Sequence, residues 1–197
     1  MKKILAMLLA LVMVLSLAAC ASTQPAAEPA ASSDAPAESG KTYTVGVCQL
    51  VQHEALDAAT QGFVDALKEA LGDAVTIDVQ NASGDSVNCG TIVNGFVSKG
   101  VDLIMANATP ALTAAVSATA DIPILGTSIT AYGVALDIDD FSGTVGGNVS
   151  GTSDLADLQK QAQMILDWFP ETKTVGLLFC SAEPNSRYQI DEVRKAL

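Results

Sequence analysis

The chain has 197 residues, 49% hydrophobic and 5% aromatic, with 10 basic against 22 acidic side chains. A net charge of −12 repels nucleic acid and anionic lipid headgroups alike. The composition therefore excludes a nucleic-acid partner and any membrane attachment through a basic patch.

Met1-Lys2-Lys3, an apolar run from Ile4 and then Leu17-Ala18-Ala19-Cys20 open the chain. The run is about 14–16 residues, short of the roughly 20 that cross a hydrocarbon core. It suits a signal h-region ending in a lipobox. Residues 1–19 read as a signal peptide, and Cys20 as the mature N-terminus, its thiol bearing diacylglycerol. The chain is expected to be extracytoplasmic, held to the cell membrane by that lipid. Loss of Lys2 and Lys3 leaves 8 basic and 22 acidic residues, a net charge of −14. Residues 20–41 are the lipidated cysteine and a flexible tether of Ala, Ser, Pro, Glu and Gly, too poor in large apolar side chains to order itself. A coil of about 20 residues keeps its ends roughly 25 Å apart, enough to lift a domain clear of the headgroups.

The β-branched run Tyr43–Cys48 predicts the first strand. Leu56, Ala59, Phe63, Leu67, Ala70 and Leu71 recur every three or four residues, and Gly72 closes the helix they predict. Val75–Val79 is the second strand. Asp85 or Ser86 caps a helix expected to turn Val87, Ile92, Val93, Phe96 and Val97 inward, with Gly100 at its end. Val101–Ala106 is a third strand, apolar apart from Asp102. Thr109-Pro110 opens another helix, threonine as N-cap and proline in the first turn, where its missing N–H costs nothing. Ile122–Leu125 is a fourth strand. The glycine-rich stretch 132–148 reads as a short turn or helix, before a strand near 148–152. A helix over 154–169 stopped by Pro170, a strand over Thr174–Cys180 and an amphipathic helix from Ser186 follow. The pattern breaks off in mid-helix at Leu197, which reads as a fragment.

Short apolar strands alternating with helices predict an α/β fold with a parallel, doubly wound sheet covered on both faces. Beyond Cys20, the odd number Cys48, Cys89 and Cys180 shows no CxxC and no metal-ligand spacing. Cys48 and Cys180 each end an apolar strand-like run, where a buried thiol acts as a small hydrophobe. A disulfide is compatible with export, but the sequence pairs none of them.

In such a sheet the ligand sits beyond the carboxyl ends of the strands. That rule selects Gln49–Glu54, Asn81–Asp85, Asn107–Pro110, Thr127–Thr130 and Ser181–Ser186, all rich in amides, hydroxyls and small residues. Hydroxyls and free N–H groups at helix N-termini suit an anionic group such as a carboxylate, although ordinary capping explains Thr109 or Ser186 as well. Enzyme signatures are weak. His53-Glu54 begins like a zinc-protease motif, but position 57 is aspartate and the chain has no other histidine. No GxSxG and no phosphate loop occur, so no catalytic residue, metal or cofactor is expected.

Several phrases in register resemble one family, the ABC transporter substrate-binding lipoproteins of the tryptophan/tyrosine type. They are Val51-Gln52-His53-Glu54-Ala55-Leu56-Asp57, Gln80-Asn81-Ala82-Ser83-Gly84-Asp85, Ala106-Asn107-Ala108-Thr109-Pro110-Ala111, Gly147-Asn148-Val149-Ser150-Gly151-Thr152-Ser153-Asp154 and Glu183-Pro184-Asn185-Ser186. The resemblance covers Thr44 to Leu197; the aspartate-proline that members usually show around Ser128–Leu136 is absent. It implies the type I periplasmic-binding fold, two Rossmann-like lobes closing on ligand. Residues 42–149 would form the first lobe, and 150–197 a hinge strand and part of the second. It also implies capture of a small molecule of the amino-acid kind for an ABC permease. In that site Glu183, with Asp85 and Glu54 behind it, would meet an α-ammonium. Thr109 and Ser128 would meet the carboxylate, with Asn185 or Ser186 across the cleft, and Gln49 is a further expected ligand contact. The rival reading is a sensory lipoprotein of the same fold, presenting ligand to a membrane receptor.

Overall fold

The computed structural model describes residues 40–197. The expected signal peptide, Cys20 and the tether up to residue 39 lie outside the described residues. In chain order the elements are β1 (Tyr43–Gln49), α1 (Glu54–Leu71), β2 (Val75–Asn81), α2 (Ser86–Lys99), β3 (Leu103–Asn107) and α3 (Thr109–Ala118). Then come β4 (Ile124–Ile129), the single turn α4 (Tyr132–Ala135), β5 (Val149–Ser153), α5 (Leu158–Trp168) and α6 (Pro184–Ala196). The five strands form one sheet in the order β2-β1-β3-β4-β5, and all four pairings are parallel. The winding reverses between β1 and β3, because the chain first steps left to β2 and then crosses to the right. Such a reversal leaves a crevice at the carboxyl edge.

Local chemistry sets the helix ends. His53 caps α1, its Nδ1 accepting from the Ala55 N–H at 3.2 Å, with Glu54 and Asp57 in the first turn and Lys68 in the last. Asp85 caps α2, accepting from the Val87 N–H at 2.8 Å, and Gly100 ends it in the left-handed region at φ +64°. Two expectations shift. Val87 is 72% exposed and Cys89 takes the inward place with Val93 and Phe96. Residues 89, 93 and 96 share one face, whereas 87 lies about 200° from 89 around the helix. The N-cap of α3 is Ala108, at φ +90° and with no side-chain cap bond, and Thr109 is already helical.

Helices α2 and α3 pack side by side on one face of the sheet, over a core holding Cys48, Cys89, Val93, Phe96, Ile104, Leu112 and Ile124. Gly46 lets them approach: a Cβ there would stand 2.6 Å from the Phe96 ring. The other face carries only α1 among the described helices, reaching β1 to β4. Its apolar stripe is accordingly half covered, with Val64 and Thr60 buried but Leu56, Ala59, Phe63 and Leu67 partly open. The lone charge in β3's approach has a use, since Asp102 Oδ2 accepts from the Thr44 N–H at 2.7 Å.

Tyr132 closes the β4–β5 edge. It is 6% exposed, and its hydroxyl donates to the Gly126 carbonyl at 3.1 Å and the Thr152 carbonyl at 3.3 Å. Burial, and then the Asp154 charge, push its phenol from 10.0 up to about 12. The folded state therefore keeps this proton where the unfolded chain releases it. That contribution is complete below pH 10 and is lost as pH rises toward 12. Tyr132→Phe is expected to flatten this alkaline decline, read as urea midpoints between about pH 9 and about pH 12. An unaltered slope in the variant would contradict the assignment.

Residues 154–197 build no sheet. Thr174–Cys180, expected as a strand, pairs with none among the described residues, and Leu178 is 99% exposed. A strand is completed by a neighbour's N–H and C=O groups, and the companions of this segment are α5 and α6. Helix α5 begins later than expected, at Leu158, capped by Asp157 Oδ1 on the Lys160 N–H at 3.0 Å. Helix α6 begins earlier, at Pro184, because proline at the first position needs no N–H partner. No helix among the described residues is long and apolar enough to cross a membrane.

Candidate functional site

The loops after β1, β2, β3 and β4 are joined by main-chain hydrogen bonds at the carboxyl edge of the sheet. Ala82 N–H donates to the Gln49 carbonyl at 2.9 Å, Gly84 to Leu50 at 2.8 Å, Leu50 to Asn107 at 3.2 Å and Ala108 to Thr127 at 3.0 Å. Four of the five segments singled out from the sequence thus share one rim. The fifth reaches them across a cavity of about 480 Å³, walled by Leu50, Gly84, Ser86 and Pro110 on one side and by Cys180, Ala182, Glu183 and Pro184 on the other. The rest of it follows the outward groove between α2 and α3, past the exposed Asn94, Thr113 and Ser117. A few hundred Å³ with apolar walls and a few polar groups is the size and make-up of a small-molecule pocket.

Three helices point their N-termini here, through Ser86, Pro110 and Pro184. Unsatisfied N–H groups at such ends favour negative charge. Glu183 is the N-cap of α6 but makes no side-chain cap bond, so its carboxylate is not engaged in capping. The loop that presents it is held by Arg187, whose Nη2 donates to the Ser181 carbonyl at 2.9 Å.

The other singled-out residues fall in different places. Asp85 sits beside Ser86, its carboxylate engaged in capping α2. Glu54 is exposed in the first turn of α1. Ser128 lies in the bulge of β4 at φ +56° and is half-buried, outside the cavity wall. Ser186 is within the first turn of α6 and does not cap it. Thr109 and Asn185 immediately adjoin the wall residues Pro110 and Pro184, and Thr109 Oγ1 and Asn185 Oδ1 are buried without a partner among the described residues. Buried polar atoms are ordinarily satisfied, so such orphans suit a ligand's donors and acceptors.

Gln49 is 4% exposed and lies outside the cavity wall, its side chain committed to α1 and the loop before it. Its Nε2 donates to the Val51 carbonyl and the Asp57 carboxylate, and its Oε1 accepts from Thr60 Oγ1 at 2.6 Å. Asn107 joins from β3, Nδ2 donating to Thr60 Oγ1 at 2.9 Å and to the Leu56 carbonyl at 2.8 Å. This network ties the β1/β3 reversal to α1. Asn107 also keeps an unpartnered Oδ1. Sequence reasoning selected its segment but not this residue, since no local pattern separates a buried amide from a capping one.

Comparison with known proteins places the chain in a family. The model of the family described as ABC transporter substrate binding protein matches residues 44–197. A tyrosine-binding protein of Clostridioides difficile (strain R20291) is 36% identical over 98% of this chain and 56% of its own. An ABC domain in complex with L-Trp from Streptococcus pneumonia superposes with a TM-score of 0.73 at 35% identity, over 79% of this chain and 53% of that one. A ligand-free, open substrate binding protein with adhesive properties from Clostridium difficile gives 0.60 at 39% identity, over 78% and 53%. The chain spans about half the length of these relatives. They are substrate-binding proteins, not enzymes, and the α/β parallel sheet is the expected periplasmic-binding type. With a match over nearly all the described residues and a cavity at the predicted edge, the chain belongs to the ABC transporter substrate-binding protein family.

Proposed function

We propose that this chain is the ligand-capturing part of an extracytoplasmic, lipid-anchored component of an ABC importer, taking an aromatic amino acid and handing it to a membrane permease. The observation that carries the reading is the convergence of three helix N-termini and the uncapped Glu183 carboxylate on one cavity. A bound amino acid buries two opposite charges, tolerable only when each is paired and hydrogen-bonded. Glu183 is the partner for the α-ammonium. Thr109, with the helix N-terminal amides, donates to the α-carboxylate, and Asn185 or Ser186 completes its shell from across the cleft. Leu50, Pro110, Ala114 and Ala182 offer an apolar wall for the side chain.

A tyrosine-binding relative and an L-Trp complex support an aromatic ligand. The lysines, apolar run and Leu17-Ala18-Ala19-Cys20 support the lipid anchor.

Calorimetric titration of the full-length protein with L-tyrosine and L-tryptophan is expected to show saturable binding of at least one, and silence with both sinks the reading. Glu183→Ala is expected to weaken that binding at least about tenfold, about 1.4 kcal/mol. An unchanged affinity removes Glu183 from the site.

A further inference from the structure

Cys48 of β1 and Cys89 of α2 are both 0% exposed, belong to one core cluster and are reduced in this structure. Their juxtaposition follows from a single contact. Gly46 lies directly against the Phe96 ring, so this face of β1 meets α2 at Phe96. Strand side chains alternate, so Cys48 looks the same way two residues further on. Cys89 stands seven residues before Phe96, two turns away on the same helix face. A crossover helix runs opposite to its parallel strands, so moving up β1 and back along α2 brings the two thiols together. Their titration agrees: donation from the Cys48 thiol to the Cys89 sulfur raises the pKa of Cys48, with burial adding to it, and lowers that of Cys89.

We infer that Cys48 and Cys89 form a disulfide in the exported protein, tying the carboxyl end of β1 to the first turn of α2. The oxidant is an external disulfide of the oxidised-glutathione class. In two exchange steps the Cys48 Sγ–Cys89 Sγ bond forms and the donor's S–S bond breaks; the cysteines lose two protons and two electrons, and the donor leaves as two thiols. Both cysteines are sealed in the core, so the bond forms while the chain folds. The cross-link borders Leu50 and Gly84–Ser86 and holds that wall of the cavity together, whatever the ligand is. Export supplies the oxidant, and so the inference rests on that part of the proposed function; the pairing itself rests on geometry alone.

The full chain, unfolded and refolded with reduced and oxidised glutathione, is denatured, treated with N-ethylmaleimide and mapped by mass spectrometry. Cys180 is expected to label, while Cys48 and Cys89 stay unlabelled until a reductant is added and appear as one linked peptide pair. Labelling of both without reductant, or a link that includes Cys180, overturns the inference. Cys180→Ser should leave the link in place, and Cys48→Ala should restore labelling at Cys89. Because labelling is done in denaturant, both variants report even if they fold poorly. A chain that links in this refolding but is reduced when isolated from cells would contradict the export reading and leave the pairing intact.

Discussion

Phe96→Ala is expected to cost the domain about 3–5 kcal/mol of unfolding free energy, read from urea denaturation. Phe96 heads the fully buried side chains by size, and its ring fills the space that Gly46 leaves open in β1. The hole cannot collapse easily, because β1 is bonded to β2 on one side and to β3 on the other. The reciprocal change has the opposite fault. Gly46→Ala puts a Cβ 2.6 Å from the ring, an overpacking that costs about 1–3 kcal/mol. Combined with Phe96→Leu, the penalty of Gly46→Ala should shrink, since the contact that generates it is relieved. Strict additivity across that cycle would mean that the two residues do not share the space described.

Gly151→Ala is expected to detach β5. Gly151 has φ +149°, and a Cβ would meet the Gly126 carbonyl oxygen and the Tyr132 hydroxyl. Backbone cannot move aside as a side chain does, and the conformation alone costs about 1–3 kcal/mol for a residue other than glycine. Displacing Tyr132 removes two further hydrogen bonds, each about 1 kcal/mol. Amide exchange should therefore lose protection at the β4–β5 pairing while β1–β3 stays protected. Uniform protection in the variant would show that the edge absorbs the extra carbon. Since β5 leads the chain from the sheet toward the segment carrying Glu183, ligand affinity should fall with it.

Much of the architecture was legible from local pattern. The spacing of Leu56, Ala59 and Phe63, the glycines at 72 and 100 and the Asp85 cap mark elements whose causes lie within a few residues. So does the proline in the first turn of α3. Errors arose where a neighbour decides the outcome. Thr174–Cys180 has the composition of a strand but no strand beside it among the described residues, and Val87 is apolar yet sits on the outward arc of α2. For the site, the carboxyl-edge rule picked loops that gather on one rim, whereas the use each side chain makes of its hydrogen bonds stayed hidden. Gln49 looked like a ligand contact and is committed to Val51, Asp57 and Thr60.

Taken alone, the sequence determined the alternation of strand and helix, the acidic surface and the rim on which polar loops would gather, because periodicity, caps and charge act at short range. Only the tertiary structure decided that Glu183 faces Ser86 and Pro110 across one cavity, that Asn107 and Thr60 tie the β1/β3 reversal to α1, and that Cys48 and Cys89 share one core cluster. Those meetings depend on strand order and on how closely α2 settles onto β1, and both are fixed by packing between segments distant in the chain.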